Sequence, residues 1–485
     1  MSAIRRLTAV MVLALGAIIG WAPAASAHAV LLRTDPSPQT TVAQSPSAVR
    51  LFFSEPVEVT LGAIRVFDVV GHRADGGTLN RSRDHRQVAV PLPHLDNGTY
   101  TVTWKAVSAD GHLVHGGFTF YIGAPSTISA VAINPDAGPM RSVTWGAAAV
   151  RFVWFTAFLG IIGMAALRVW VWTPAVREAG ATDSAAASRF RRRFRRGLPM
   201  AWIALVLAGA AQLFFQAASV AGSYTATRGV IHTTFGRLWL VAMAVTLALG
   251  LPVIALSRRH RVSGVAPAVW LWLGAIGVSA LAVTTALNGH ARTVDHPVLA
   301  TASITAHLLS VGVWVGGLGA LVLLAAPSWR CELDERRAGL VGGVVRRFSR
   351  IALVAVTVIV VTGVINALAD FGSISDLWRV GYGRVVATKV ILLAIALAFG
   401  TFHLFVVPRR LRTGRAAPVR SFERTTLSEL ATLVITIALA AALVAMVPGR
   451  SLALAASGEV NQEHRAGAYT LQLFLDPTRI GANEI

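Results

Sequence analysis

Eight apolar runs fill the chain beyond Trp145, at roughly 145–172, 198–221, 235–256, 266–287, 298–326, 348–369, 384–407 and 427–447. An α-helix rises 1.5 Å per residue, so about 20 apolar residues cross the hydrocarbon layer of a bilayer. Inside lipid every backbone N–H and C=O must be satisfied within the segment, which predicts that these runs are helices. Eight transmembrane helices constrain everything else in the chain.

The charges agree with that frame. Only 14% of residues are charged, against about 25% in a soluble domain. This excludes an ordinary cytosolic enzyme and a disordered or collagen-like chain. The net charge of +21 is not the footprint of a nucleic-acid partner. All the basic residues except Lys105 and Lys389 are arginines, and they cluster between the apolar runs. The connections after runs one, three, five and seven hold 22 arginines, whereas the alternate connections and their edges hold 5. The positive-inside rule places the rich set in the cytoplasm. The single cysteine, Cys331, excludes a disulfide framework, a CxxC pair and a thiolate metal cluster.

The amino terminus reads as an export signal over residues 1–27. Arg5 and Arg6 precede the apolar stretch Leu7 to Ile19, and Ala25-Ser26-Ala27 is an A-x-A cleavage site. Cleavage makes His28 the first mature residue and puts the region that begins there outside the cytoplasm. That matches the orientation derived from the arginines.

Residues 28–123 have a different grammar. Short alternating runs at Ala48–Phe53, Ala63–Val69, Gln87–Leu92, Tyr100–Val107 and Gly117–Ile122 are separated by Gly, Pro, Asp and Asn. Such spacing predicts an all-β sandwich or barrel. Residues 124–144 read as a linker and 145–447 as the membrane domain. Residues 448–485 read as an extracytoplasmic tail, in which Tyr469–Leu475 alternates like one strand. One strand cannot bury a face by itself, so it pairs with the β domain or belongs to a further, incomplete domain.

Three features of the β region carry chemistry. They are His28, the stretch Phe53-Ser54-Glu55-Pro56-Val57-Glu58, and Trp104…Ser108-Ala109-Asp110-Gly111-His112. An amino-terminal histidine chelates a metal through its α-amine and Nδ1, a nitrogen set suited to tetragonal Cu(II). Asp110 and His112 are two apart and share a face if extended. By residue type alone a D-x-H pair is a weak signal, and a surface Asp and His are the commoner explanation. The combined pattern closely resembles the periplasmic copper-binding protein CopC across residues 28–123. The resemblance implies a Greek-key β-sandwich that binds Cu(II) through His28, Asp110 and His112, with Glu55 behind the ligands. Residues 28–123 contain no methionine, unlike the Met-rich branch that binds Cu(I), so a Cu(II)-only domain is expected. His72, His85, His94 and His115 read as solvated surface, with His115 the best candidate among them for an extra ligand.

Polar groups inside membrane helices are costly and mark functional sites. In the fifth run Ser303, His307 and Ser310 share one helical face, with His307 about 14 Å below the outer end. Gly312 and Gly316 form a small-xxx-small pair for close packing. His290, His296, His307 and Asp370 all fall in the outer half and form a candidate vestibule and transport path. Gln212, Gln216 and Asn366 read as hydrogen-bonding glue. The segment Asn288-Gly289-His290-Ala291…Ala306-His307…Trp314-Val315-Gly316-Gly317-Leu318, with Tyr382-Gly383-Arg384…Lys389, resembles the CopD family of inner-membrane copper-resistance proteins over about 145–447. The terminal Tyr469…Asp476-Pro477 stretch looks like the start of a YtkA-like domain.

No phosphate loop and no D-K-T-G phosphorylation motif is present. The expected protein is therefore a copper transporter and not an ATP-driven enzyme. Copper ions, the bilayer and other copper chaperones are its expected partners, and the plasma (inner) membrane its location. Two other readings stand beside import. One is a haem- or quinone-bearing protein that reduces Cu(II). The other is a membrane-anchored metallochaperone.

Overall fold

The computed structural model describes residues 29, 31–59, 64–108, 113–124, 141–221, 227–258, 266–289, 296–370, 381–405, 417–443, 460–466 and 469–475. Its amino-terminal domain is two packed sheets. One has the order β1 (Leu31–Asp35), β3 (Ala48–Phe53), β7 (Gln87–Pro91), β6 (Asn80–Arg81). The other has the order β2 (Thr41–Val42), β9 (Leu113–Ile122), β8 (Gly98–Ser108), β4 (Val57–Glu58), with β5 (Ile64–Phe67) also on β8. All five expected strands are present. The short β2, β4 and β6 carry too few residues to show a period, and β1 has only one buried side chain, so alternation does not mark them.

Alternation builds the core. Val49, Leu51 and Phe53 of β3 and Val88 and Val90 of β7 point inward from one sheet. Ile64, Val66, Val102, Trp104, Phe120 and Ile122 meet them from the other. Trp104 lies edge-on to Phe53 at 5.5 Å between ring centroids. Its cross-strand partner is Gly116, and a Cβ there would sit 2.8 Å from the indole ring. Only glycine lets the large ring lie flat at that position.

Eight helices are long and apolar enough to cross a membrane: α1 (Trp145–Glu178), α2 (Ala185–Ala218), α3 (Thr234–Ser257), α4 (Pro267–Leu287), α5 (Pro297–Trp329), α6 (Arg336–Ala367), α7 (Arg384–Thr401) and α8 (Glu423–Ala441). Helices α2 and α6 extend well before their apolar runs. The helix around α2 begins at Ala185 and that around α6 at Asp334. The arginines at 189–196 and 336–350 therefore ride on helical extensions and not on loops. Arginine is a good helix former, but a reading bounded by apolarity stops short of it.

Helices α1 and α5 cross at near backbone contact. A Cβ on Gly163 would lie 1.9 Å from the Gly316 carbonyl carbon, and one on Gly312 would strike the Ile162 side chain. This is the small-residue packing expected of Gly312 and Gly316. Around the crossing, α5 widens into π-helical turns at Gly312–Gly316 and Leu321–Ala325. The arginine-rich ends meet at one end of the bundle. There Glu423 receives Arg330 at 2.7 Å and the Trp329 indole N–H at 2.9 Å. Arg347 reaches Glu178 at 3.3 Å, and Glu332 accepts the Ala186 amide at 2.8 Å.

The tail is a hairpin, not a lone strand. Tyr469–Leu475 pairs antiparallel with Val460–Ala466. The partner reads Val-Asn-Gln-Glu-His-Arg-Ala, too polar to show an apolar alternation.

Candidate metal centre and membrane path

The candidate ligands of the β domain flank one end of its longest hairpin in the sequence. β8 ends at Ser108 and β9 begins at Leu113, so Asp110 and His112 belong to the connection between them. That connection and His28 lie outside the described residues. The chain segments that lead into them do not. Ala29 is buried, and its amide donates to Ser108 Oγ at 3.4 Å. The Ser108 hydroxyl in turn donates to Glu55 Oε1 at 2.5 Å. Glu55 and Ser108 are both buried. Val57 pairs with Ser108 and Glu58 with Val107, which holds the Phe53-Ser54-Glu55-Pro56-Val57-Glu58 stretch against the same end of β8.

This arrangement brings together Ala29, Glu55 and Ser108, which adjoin or belong to three sequence-distant motifs. His28 is one residue from Ala29, and Asp110 is two residues from Ser108. With about 3.8 Å between successive Cα atoms, both lie within a few residues' reach of the Ser108 hydroxyl. A buried carboxylate tied through a hydroxyl to the amide behind the terminal histidine is suited to orienting metal ligands. Ser108 stands in the motif, but its neighbours in the chain give it no role. Its significance is the contact to Glu55, 53 positions away.

A second carboxylate cluster secures the sheet away from the site. Asp75 accepts the Val66 amide at 3.0 Å, the Gly77 amide at 2.9 Å and Arg73 Nη2 at 2.8 Å. Burial alone pushes its carboxyl up. The Arg73 guanidinium and the two amides outweigh that and hold it below the ordinary carboxylate range.

In the membrane domain His307 and Ser303 face α6. His307 Nδ1 lies 2.9 Å from Thr362 Oγ1, and Ser303 Oγ donates to Asn366 Oδ1 at 2.9 Å. Gly363 lies beside the imidazole, where a Cβ would make an ordinary contact 3.6 Å from His307 Cε1. Thr362 and Asn366 are four apart on α6 and Ser303 and His307 four apart on α5, so two matched polar faces meet. Thr362 does not stand out in the sequence, although its i, i+4 spacing to Asn366 marks the face. His296 is exposed at the start of α5. Eleven residues, about 16 Å of helix, separate it from His307, so the two do not share one coordination sphere. His290 and the Asp370 side chain lie outside the described residues. Among the described residues no group of three His, Cys, Asp or Glu converges on a single point.

Known proteins divide along the same lines. Residues 31–123 match the CopC domain, 140–297 the copper resistance protein D-like N-terminal domain, and 342–443 copper resistance protein D. Copper transport protein CutJ of Bacillus subtilis (strain 168) is 30% identical over 408 residues, covering 80% of this chain and 70% of that protein. Protein YobA of Escherichia coli (strain K12) is 35% identical over 102 residues, 21% of this chain and 82% of its own length. Among solved structures, CopC from Methylosinus trichosporium OB3b is 32% identical and covers 20% of this chain and 95% of its own, with a TM-score of 0.19. With a CopC domain followed by both parts of a CopD domain in one polypeptide, the chain belongs to the CopC–CopD family of copper resistance and transport proteins.

Proposed function

We propose that the β domain captures Cu(II) outside the plasma membrane and that the helical domain moves copper inward. The observation that carries this reading is the Ala29–Ser108–Glu55 hydrogen-bonded junction, which gathers the segments bearing His28, Asp110 and His112. Two imidazoles, an α-amine and a carboxylate form a borderline-hard donor set that favours Cu(II). It contains no thiolate or thioether to hold Cu(I), and it exchanges ligands more readily than a thiolate site does. Along the membrane path, His307 with Thr362 is the candidate relay, reached from the outer histidines His290 and His296 and from Asp370. An outward-facing β domain is supported by the arginine asymmetry and the amino-terminal export signal.

The test is cellular copper content with and without the full-length chain, at limiting and at excess copper. Higher copper in producing cells supports import. Lower copper reverses the direction, and unchanged copper favours the chaperone or redox reading. The His112→Ala chain should lose both the Cu(II) electron paramagnetic resonance signal and the gain in copper. Retention of the signal in both His28→Ala and His112→Ala would overturn the ligand assignment.

A further inference from the structure

One carboxylate of the β domain touches the bundle. Glu58 Oε1 accepts the Thr234 amide at 2.9 Å and the Thr234 hydroxyl at 2.6 Å. Thr234 is the first residue of α3, at the end of the bundle opposite the arginine-rich connections. The first amides of a helix have no partner within it, and the helix dipole favours an anion there. Thr233 caps the Gly236 amide at 3.1 Å, and Glu58, supplied by the other domain, satisfies the Thr234 amide.

Both halves of the contact are held rigidly. On the membrane side, the Thr233 hydroxyl also donates to the Val230 carbonyl at 2.6 Å. Gly236 lies so close beneath this turn that a Cβ would come within 2.1 Å of the Val230 oxygen. On the β side, Val57 is locked in the core, so its neighbour Glu58 points outward by the alternation of a strand. Glu58 pairs with Val107, and Val57 with Ser108. The connection carrying Asp110 and His112 therefore starts two residues beyond Val107, the strand partner of Glu58. Arg237 Nη2 donates to the same Thr234 hydroxyl at 3.4 Å.

We propose that the Glu58–Thr234 contact is a docking latch that holds the copper-binding end of the β domain on the outer mouth of the bundle, so that metal passes within one chain. Glu58 is a positioning residue and not a ligand. The inference rests on the transfer reading above, and its two tests separate the latch from that reading.

The first test reads docking alone. In full-length chain with Cys331→Ser, the pair Glu58→Cys and Thr234→Cys is treated in membranes with a short reducible bis-methanethiosulfonate cross-linker. Protease cleavage in the 124–144 segment then shows whether the two domains remain joined. Efficient joining is expected. Joining no better than for Glu58→Cys paired with a cysteine in place of exposed Val298 on α5 overturns the latch, whether or not the chain moves copper. The second test reads coupling. Glu58→Gln should lower copper accumulation by about tenfold, the scale of one lost charge-assisted hydrogen bond, and leave Cu(II) affinity within about twofold. Thr234→Val combined with Glu58→Gln should add little to the single change. Native accumulation in Glu58→Gln, or fully additive effects, overturns the latch. If the unsubstituted chain accumulates no copper, the transfer reading fails, and the cross-linking result still decides the docking.

Discussion

Ser108 Oγ and Glu55 Oε1 lie 2.5 Å apart, both buried, at the end of β8. The hydroxyl donates to the carboxylate and accepts from the Ala29 amide, so the two sheets and the start of the domain share one polar junction. Ser108→Ala removes both bonds and should destabilise the β domain by about 1–3 kcal/mol. It should also weaken Cu(II) binding by about tenfold, the lower end of what loss of a ligand-orienting partner costs. Ser108→Thr keeps the hydroxyl and should retain most of the affinity. Competition titration of the purified chain against a Cu(II) chelator checks both.

Asp75 sets a pH dependence. Its folded carboxyl titrates below the ordinary range, while in the unfolded chain it titrates near about 4. The unfolded state therefore binds the proton first as pH falls. The stabilisation is fully present above the unfolded value and is lost as pH drops through the folded one. Asp75→Asn should melt earlier than the native chain at pH 6, and the gap should close progressively below about pH 4. A gap that stays constant down to pH 2 would contradict this assignment.

The α1–α5 crossing leaves no room for a side chain. Gly163→Ala places a methyl group within 1.9 Å of the Gly316 carbonyl carbon, and backbone cannot rotate away. A loss of about 2 kcal/mol or more is expected from such overpacking, read as a lower unfolding temperature in detergent. Gly160→Ala, three residues earlier, meets nothing within 4 Å and should be neutral or slightly stabilising.

Thr362 lies behind His307 across the α5–α6 interface. Thr362→Val keeps the shape and removes the 2.9 Å partner of Nδ1. If His307 passes copper, its ring orientation matters. The variant should then accumulate copper about tenfold more slowly with little change in thermal stability. His307→Ala should abolish accumulation and leave the Cu(II) signal of the β domain intact. Native accumulation in both variants would reduce the pair to packing.

The eight membrane helices, the β domain before them and the orientation signal of the arginines are all legible in composition along the chain. Their physical cause is local: apolar length, strand alternation and charge position are properties of consecutive residues. The family pattern of Phe53-Ser54-Glu55-Pro56-Val57-Glu58 with Trp104…His112 is likewise local, and so is the small-residue spacing of Gly312 and Gly316. Partnerships across the chain are not. Ser108 with Glu55, His307 with Thr362, Gly163 under Gly316, Glu58 at the head of α3 and Val460–Ala466 beside Tyr469–Leu475 each join residues that neither period nor spacing relates. A hydroxyl, a threonine or a glutamate carries no mark of its partner in its neighbours, because the energy of the contact arises only when packing removes both groups from water. Tertiary structure made that choice here, and it turned separate copper-family motifs into a buried junction, a paired membrane face and a contact between domains.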